Sequence, residues 1–147
     1  MSDQDTDPDC LFCQISAGDI PARTVYTDSD VLAFLDVNPL SPGHTLVIPR
    51  AHHATIDAAP AETLGAVFGT VGTITPAIEA AVDADASNIG INNGSASGQE
   101  IPHLHVHIVP RFRDDDGHPI HAVGGTSPDL SDTDLDDIAD EITASLN

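Results

Sequence analysis

The chain has 147 residues, with 24 Asp and Glu against 4 Lys and Arg, and a formal net charge of -20. This length suits one domain with a sizeable core, and no segment reads as long and apolar enough to span a membrane. The charge repels nucleic-acid polymers and anionic lipid, so any nucleotide partner should be a small molecule held in a local pocket.

The first half of the chain predicts a short helix and three strands. Residues 1–9 are expected to form a disordered acidic arm, which lacks the basic and apolar regions of a signal peptide and so indicates a cytoplasmic protein. A helix follows at 11–17 and ends at Gly18. Turn residues then separate three predicted strands at 23–27, 31–36 and 45–49. The first two of these strands should form a hairpin.

The second half predicts two helices and two more strands. Apolar residues at helical spacing indicate a long helix over 60–83 with Pro60 at its start. Strands are expected at 87–92 and 103–110, and a capping box at 131–134 opens a C-terminal helix striped by Leu135, Ile138, Ile142 and Leu146. Residues 10–147 are therefore expected to form one α+β domain with an antiparallel sheet of about five strands.

Three histidines alternate with apolar residues at His103, His105 and His107. Alternate side chains of a strand share one face, so the imidazoles should form a row while Leu104 and Val106 face the core. Repulsion among three charged rings favours at least one neutral ring, the state that a nucleophile or a metal ligand needs. The row by itself leaves both chemistries open.

The loop before this strand, residues 92–102, is rich in glycine, small residues and amides. Such a loop exposes backbone N–H groups and adds neutral side-chain donors, which suits phosphate oxygens. The chain has no Walker-type GxxxxGK[ST] motif and no lysine to serve one, which argues against a P-loop enzyme.

Two cysteines stand at Cys10 and Cys13, a CxxC spacing. The spacing alone is compatible with a redox pair, half of a zinc site or unrelated thiols.

Several segments in the same order resemble the histidine-triad (HIT) family of nucleotide hydrolases and transferases. The signature His-x-His-x-His followed by apolar residues matches residues 103–109, CLFCQISAGDIPA resembles the family's N-terminal segment, and VLAFLDVNPLSPGHTLVIPRAHH resembles its second and third strands. The resemblance implies a HIT-like fold and a homodimer joined through the long helix and an edge strand.

The resemblance also implies the roles of site residues. The middle histidine, His105, would attack the α-phosphorus of a nucleotide, while His103 and His107 hold its ring and help to bind phosphate. Asp36 would bond the ribose hydroxyls. The resemblance places Phe12, Phe34 and Val37 in the base pocket. It also implies that Asn92 and Gln99 contact the phosphate.

Prokaryotic relatives that carry CxxC imply a structural zinc held by Cys10, Cys13, His52 and His103. A closed set of two cysteines and two histidines leaves no position for a water, as in structural zinc sites. One departure concerns Glu100, which stands where well-studied relatives carry a Ser or Thr hydroxyl near the leaving group. An ionised carboxylate cannot donate a hydrogen bond, which leaves the preferred leaving group open.

These expectations combine into a hydrolase of nucleoside phosphoramidates or related nucleotides that acts through a covalent nucleotidyl-His105 intermediate, without an organic cofactor. The alternatives are a dinucleoside polyphosphate hydrolase, a nucleotide-binding regulator with negligible turnover, and a zinc-binding protein whose histidine row is a metal site. Acidic residues spread along the whole chain with no lysine are typical of a halophile, where molar salt screens self-repulsion.

Overall fold

A computed structural model describes residues 6–146 and shows a five-stranded antiparallel sheet in the order β1-β2-β3-β5-β4. The predicted α+β fold is confirmed. Residues 1–5 of the predicted acidic arm lie outside the described residues. The strands are β1 (Thr24–Thr27), β2 (Val31–Leu35), β3 (Thr45–Pro49), β4 (Ala86–Gly90) and β5 (Val106–Arg111), and the helices are α1 (Leu11–Ser16), α2 (Ala61–Val82) and α3 (Asp132–Leu146).

The central strands are buried on both faces because a helix covers each side of the sheet. Alternate side chains point to opposite faces, so β2 and β3 contribute to two apolar clusters. The cluster under α2 contains Val31, Ala33, Val47, Val67, Val71, Ile74, Ile78, Val106 and Ile108. The cluster under α1 contains Cys10, Phe12, Cys13, Leu32, Phe34, Leu46 and Ile48.

The predicted hairpin between β1 and β2 is confirmed, and Asp28 stabilises its turn. The carboxylate oxygen Oδ1 of Asp28 accepts hydrogen bonds from the backbone N–H groups of Asp30 and Val31, both at 2.8 Å. This is the local side-chain-to-backbone bonding that favours aspartate in turns.

Helix α2 contradicts the prediction that no segment of the chain could span a membrane. Its 22 residues are long and apolar enough to cross a membrane by length and composition alone, so the statement that no segment meets this test was wrong. The core helix of a soluble protein passes the same test, because one of its faces must also be apolar. In this structure Val67, Val71 and Ile78 of α2 are buried in the cluster that α2 shares with the sheet.

The last strand is shorter than predicted, and this changes the position of the histidine row. Strand β5 begins at Val106, so only His107 of the three histidines lies in the ladder, opposite Leu46 of β3 and Gly90 of β4. His103 and His105 precede the strand in irregular backbone and are 0% and 7% exposed. The rings of His105 and His107 still lie side by side, with centroids 5.0 Å apart, whereas the His103 ring lies beside Cys10.

The chain divides into two compact units, of which the second starts at His118. Within the second unit the predicted capping box is confirmed: the Asp134 N–H donates to Ser131 Oγ at 3.1 Å, and the Ser131 N–H donates to Asp134 Oδ2 at 3.0 Å. The apolar stripe of α3 is exposed at Leu135, Ile138, Ile142 and Leu146. That residues 10–147 form one domain stays a prediction.

Candidate active site and metal centre

The ring of His105 has one nitrogen engaged by the backbone. Its Nδ1 lies 2.7 Å from the carbonyl oxygen of His103. A carbonyl oxygen only accepts hydrogen bonds, so Nδ1 carries the proton and, in the neutral ring, Nε2 carries the lone pair. The hydrogen bond from Nδ1 therefore presents Nε2 as a nucleophile.

Local backbone contacts hold His105 in this position. The N–H of His103 donates to the Ile101 carbonyl at 2.8 Å, and the N–H of Leu104 donates to the His53 carbonyl at 2.7 Å. The ring of Phe12 contacts the His105 ring edge-on, with centroids 5.1 Å apart. Two backbone anchors and one aromatic wall therefore restrict the orientation of the imidazole.

His107 takes part in a chain of hydrogen bonds that begins in the loop after β2. The Leu40 N–H donates to His44 Nδ1 at 3.1 Å, and His44 Nε2 lies 3.0 Å from His107 Nδ1. Since Nδ1 of a neutral His44 accepts, its Nε2 must carry the proton and donate to His107 Nδ1. His107 consequently carries its own proton on Nε2, which makes that atom a hydrogen-bond donor.

The electrostatics agree with two neutral rings at physiological pH. Burial, and to a lesser extent the repulsion that a protonated His107 would meet from a protonated His105 or His44, lowers the pKa of His107 to about 4. Burial also lowers the pKa of His44, against a smaller opposite effect from Asp36. Neutral rings are the state in which the chain of donors and acceptors is consistent.

The sequence patterns gave no reason to include His44 in the site. It is 2% exposed and enters the site because the first residues of β3 pair with β5, placing Leu46 opposite His107. The only sequence signal is a histidine directly before a buried strand, and the register that brings it to His107 cannot be found from that signal.

The side chains of Asp36, His44 and His107 lie close enough together to suggest a metal site. The carboxylate oxygen Oδ2 of Asp36 is 3.7 Å from His44 Nε2. However, the Leu40 N–H donates to the other nitrogen of His44, so Nε2 of the neutral ring has a proton and no lone pair for a metal. Hydrogen bonding therefore explains this group better than metal binding does.

The predicted zinc ligands do come together. Atoms of Cys10, Cys13, His52 and His103 all lie within 4.8 Å of one another. Nδ1 of His103 is 3.3 Å from Cys10 Sγ and 3.6 Å from Cys13 Sγ, and His52 Nδ1 is 3.4 Å from Cys13 Sγ. Sulfur and nitrogen ligands of a tetrahedral zinc lie about 3.6 Å apart, so the donor set fits zinc in number, type and spacing.

Both ring nitrogens of His103 are engaged at this centre. Its Nε2 lies 2.8 Å from the Pro49 carbonyl oxygen, so Nε2 carries the proton and Nδ1 presents a lone pair toward the cysteines. Burial lowers the pKa of His103 to about 4, which keeps the ring neutral. The expectation that this ring also binds phosphate is not supported, because neither nitrogen is free for it.

Burial raises the pKa of the Cys13 thiol to about 11, although the backbone N–H of Asp7 acts in the opposite direction. Without a cation the thiol is therefore protonated at neutral pH. A bound metal would deprotonate it, so metal binding should release protons.

The residues expected to bind the base have different environments. Phe12 and Phe34 are each 4% exposed and contact each other edge-on, with centroids 5.5 Å apart, whereas Val37 is 78% exposed. Asp36 is partly buried, and its Oδ1 accepts from the Asn38 N–H at 2.9 Å. Of the three residues expected in the base pocket, only Val37 is therefore exposed to a ligand in this structure.

The two amides expected to contact phosphate also differ. Asn92 is exposed. The Gln99 side chain is engaged by backbone: its Nε2 donates to the Ala54 and Ile101 carbonyls at 2.7 and 3.0 Å, and its Oε1 accepts from the Gly94 N–H at 2.8 Å. With these bonds in place Gln99 has no N–H left for a phosphate, so it organises the loop instead. Glu100 beside it is exposed.

Comparison with known proteins shows the family. The HIT domain matches residues 17–114. Adenylylsulfatase HINT3 of Arabidopsis thaliana is 44% identical over 103 residues, which are 70% of this chain and 52% of that protein, so the chain spans about half the length of that relative.

Two solved structures support the same assignment. SMU.412c from Streptococcus mutans UA159 is 37% identical with a TM-score of 0.89, covering 100% of this chain and 91% of that one. A Zn-bound histidine triad family protein from Mycobacterium smegmatis is 39% identical with a TM-score of 0.71, covering 74% of this chain and 78% of that one. With its histidine triad, its sheet and these relatives, the chain belongs to the HIT family.

Proposed function

We propose that the protein hydrolyses nucleoside 5′-phosphoramidates through a nucleotidyl-His105 intermediate. The observation that carries the proposal is the 2.7 Å contact between His105 Nδ1 and the His103 carbonyl, which leaves the Nε2 lone pair for attack. In the first step Nε2 forms a bond to the α-phosphorus as the P–N bond breaks, and the leaving amine takes its protons from solvent. Water then displaces the imidazole, which releases the nucleoside monophosphate and restores His105.

Neighbouring groups would stabilise the negative charge that develops on the phosphoryl oxygens. His107 offers the Nε2–H that His44 imposes on it. The backbone N–H groups of Gly94, Ser97 and Gly98 donate to acceptors within residues 94–99, so the loop offers fewer donors to phosphate than its sequence predicted. His103 would position the nucleophile through its carbonyl. Phe12, Phe34 and Val37 would contact the base, Asp36 the ribose and Asn92 the phosphate.

The relative from Arabidopsis thaliana is named an adenylylsulfatase. Adenylyl sulfate, like an adenosine phosphoramidate, carries a leaving group on the α-phosphorus of an adenylyl group. This supports attack at that phosphorus and leaves the leaving group to experiment. We therefore choose an adenosine phosphoramidate as the first substrate, with adenylyl sulfate and a dinucleoside polyphosphate for comparison.

A structural zinc belongs to the same proposal. Cys10, Cys13, His52 and His103 would hold it, and it would supply folding energy, since four protein ligands leave no position for a reacting water. The Zn-bound relative from Mycobacterium smegmatis supports this metal.

The assembly and cellular setting are proposed from surface features. Phe68 on the outer face of α2 and Ile89 on the edge strand β4 are 41% and 40% exposed, which supports a homodimer through these elements. We further propose a cytoplasmic protein of a halophile, because 24 acidic residues face only 4 basic ones.

Trapping the intermediate tests the mechanism. Protein quenched during turnover should be heavier by one nucleotidyl group, which is a nucleoside monophosphate less one water, and peptide mapping should place the adduct on His105. His105→Ala should give no adduct and no turnover while nucleotide affinity stays within about tenfold, because the lost atom bonds phosphorus only during the reaction. His121→Ala in the second unit is the control. Near-normal turnover by His105→Ala, or an adduct on another residue, would reject the mechanism.

A further inference from the structure

Asp7 contacts three of the four residues of the metal centre, although it lies in the segment predicted to be a disordered arm. Its backbone N–H donates to Cys13 Sγ at 3.4 Å, and its carbonyl accepts from the Cys10 N–H at 3.0 Å. Its carboxylate oxygen Oδ2 lies 3.9 Å from His52 Nε2. No residue outside the ligand set was expected to take part in metal binding.

The carboxylate faces the nitrogen of His52 that points away from the cysteines. Nδ1 of His52 lies 3.4 Å from Cys13 Sγ, so Nδ1 is the atom that would bind the metal. The proton of the neutral ring then belongs on Nε2, toward Asp7. A distance of 3.9 Å is too long for a direct hydrogen bond, so the two groups interact through charge and would bond after a small movement of either side chain.

The Asp7 carboxylate is held in place by its own turn. Its other oxygen, Oδ1, accepts from the Asp9 N–H at 2.9 Å, and Gln14 Nε2 donates to the Pro8 carbonyl at 2.7 Å. These bonds attach the segment at 7–9 to α1. The carboxylate is therefore oriented before any metal binds, which lowers the entropic cost of its contact with His52.

Asp7 also stands on the solvent side of the metal centre. Cys10, Cys13 and His103 are 6%, 4% and 0% exposed, whereas the side chains of His52 and Asp7 are 24% and 44% exposed. A cleft of about 480 Å³ reaches Cys13 from this side, and two carboxylates, Asp7 and Asp19, line it. A cation approaching from solvent meets this negative charge first.

We propose that Asp7 is an outer partner of the metal centre, which orients His52 by accepting a hydrogen bond from Nε2–H and controls the entry and release of zinc. The inference rests on the proposed zinc site. Carboxylates that accept from the second nitrogen of a metal-bound histidine fix its tautomer and increase its basicity, and their loss costs about 10- to 100-fold in affinity.

Asp7→Asn tests this role with little change of shape. The amide oxygen can still accept from the Asp9 N–H, and the backbone contacts with Cys10 and Cys13 stay, so only the charge toward His52 is removed. Asp9→Asn is the matched control, since Asp9 is exposed and enters the turn through its backbone N–H. Zinc affinity and release rate are measured on the full chain by competition with a chromogenic chelator.

We expect Asp7→Asn to bind zinc about 10- to 100-fold more weakly and to release it faster, while Asp9→Asn stays within about twofold of the wild type. Nitrogen-15 NMR of the zinc-loaded wild type should show a slowly exchanging proton on His52 Nε2 that Asp7→Asn loses. Equal affinity of wild type and Asp7→Asn, or equal losses in both variants, would overturn the role of Asp7. A wild type that binds no zinc would instead overturn the zinc proposal itself.

Discussion

His44 Nε2 lies 3.0 Å from His107 Nδ1, although the two residues are separated by 63 positions in the sequence. Because the Leu40 N–H occupies the other nitrogen of His44, this contact determines which nitrogen of His107 carries the proton. A buried ring outside the triad thus determines which atom of the triad can donate.

Replacing His44 should therefore reduce the rate more than the affinity. In His44→Ala the tautomer of His107 is no longer imposed, and we expect kcat to fall by about 10- to 100-fold with a smaller change in KM. Steady-state kinetics with an adenosine phosphoramidate measure both constants. His44→Asn, which can still place an amide N–H near His107, should recover part of the loss. Unchanged kcat in both variants would contradict a catalytic role for the hydrogen bond between His44 and His107.

The lowered pKa values of His44 and His107 predict a direction for stability against pH. Their unfolded pKa is about 6.5 and the folded pKa of His107 is about 4, so between these values the unfolded state binds more protons. The free energy of unfolding should be constant above about pH 7 and fall as the pH is lowered from 6.5 toward 4. Urea unfolding across this range measures it. In His107→Asn the free energy of unfolding should decline less steeply with falling pH than in the wild type. An equal slope would show that His107 does not cause the decline.

Gln99 should act on the loop and not on the phosphate itself. Gln99→Leu removes three hydrogen bonds that join the loop to the Ala54 and Ile101 carbonyls and the Gly94 N–H. We expect a KM about 10-fold higher and faster amide hydrogen exchange in residues 94–101 of the ligand-free protein. Direct phosphate contact alone would raise KM and leave exchange in the free protein unchanged.

Zinc should stabilise the protein without taking part in the chemistry. Elemental analysis should find about one zinc per chain, and Cys13→Ser should lose it while turnover is retained. The melting temperature should fall by at least about 4 °C. This is a loss of about 1–2 kcal/mol in the free energy of unfolding, because 1 kcal/mol shifts the melting temperature by about 2–4 °C for chains near this size. Metal-free wild type with an unchanged melting temperature would reject this part of the proposal.

Activity and stability should both rise with salt. At about 0.1 M KCl the screening length is about 10 Å and the carboxylates repel one another, whereas near 2 M it is below about 3 Å. Because the net charge is -20, screening this repulsion should favour the folded state and the proposed dimer. Melting curves and rates of product release, measured between these concentrations, test whether stability and activity rise. Sodium glutamate in place of KCl separates screening from anion effects. Flat or falling curves would refute the halophilic interpretation.

Local patterns in the sequence were sufficient for the architecture. Turn residues on either side predicted β2 and β3, helical spacing predicted α2, and turn residues such as Asp28 marked the hairpin, because these signals act between near neighbours. The family resemblance of the histidine triad and the CxxC pair also predicted a chemistry and a set of metal ligands, both of which stay proposals.

Tertiary structure decided what each of these groups can do. The sequence could not show that the His103 carbonyl holds His105 or that Gln99 bonds to backbone. Nor could it show that His44 contacts His107, or that Asp7 contacts the predicted zinc ligands. These contacts depend on strand register and on segments that meet far apart along the chain. Periodicity shows which face a residue occupies, whereas hydrogen-bond partners and tautomers follow only when the opposite surface is in place.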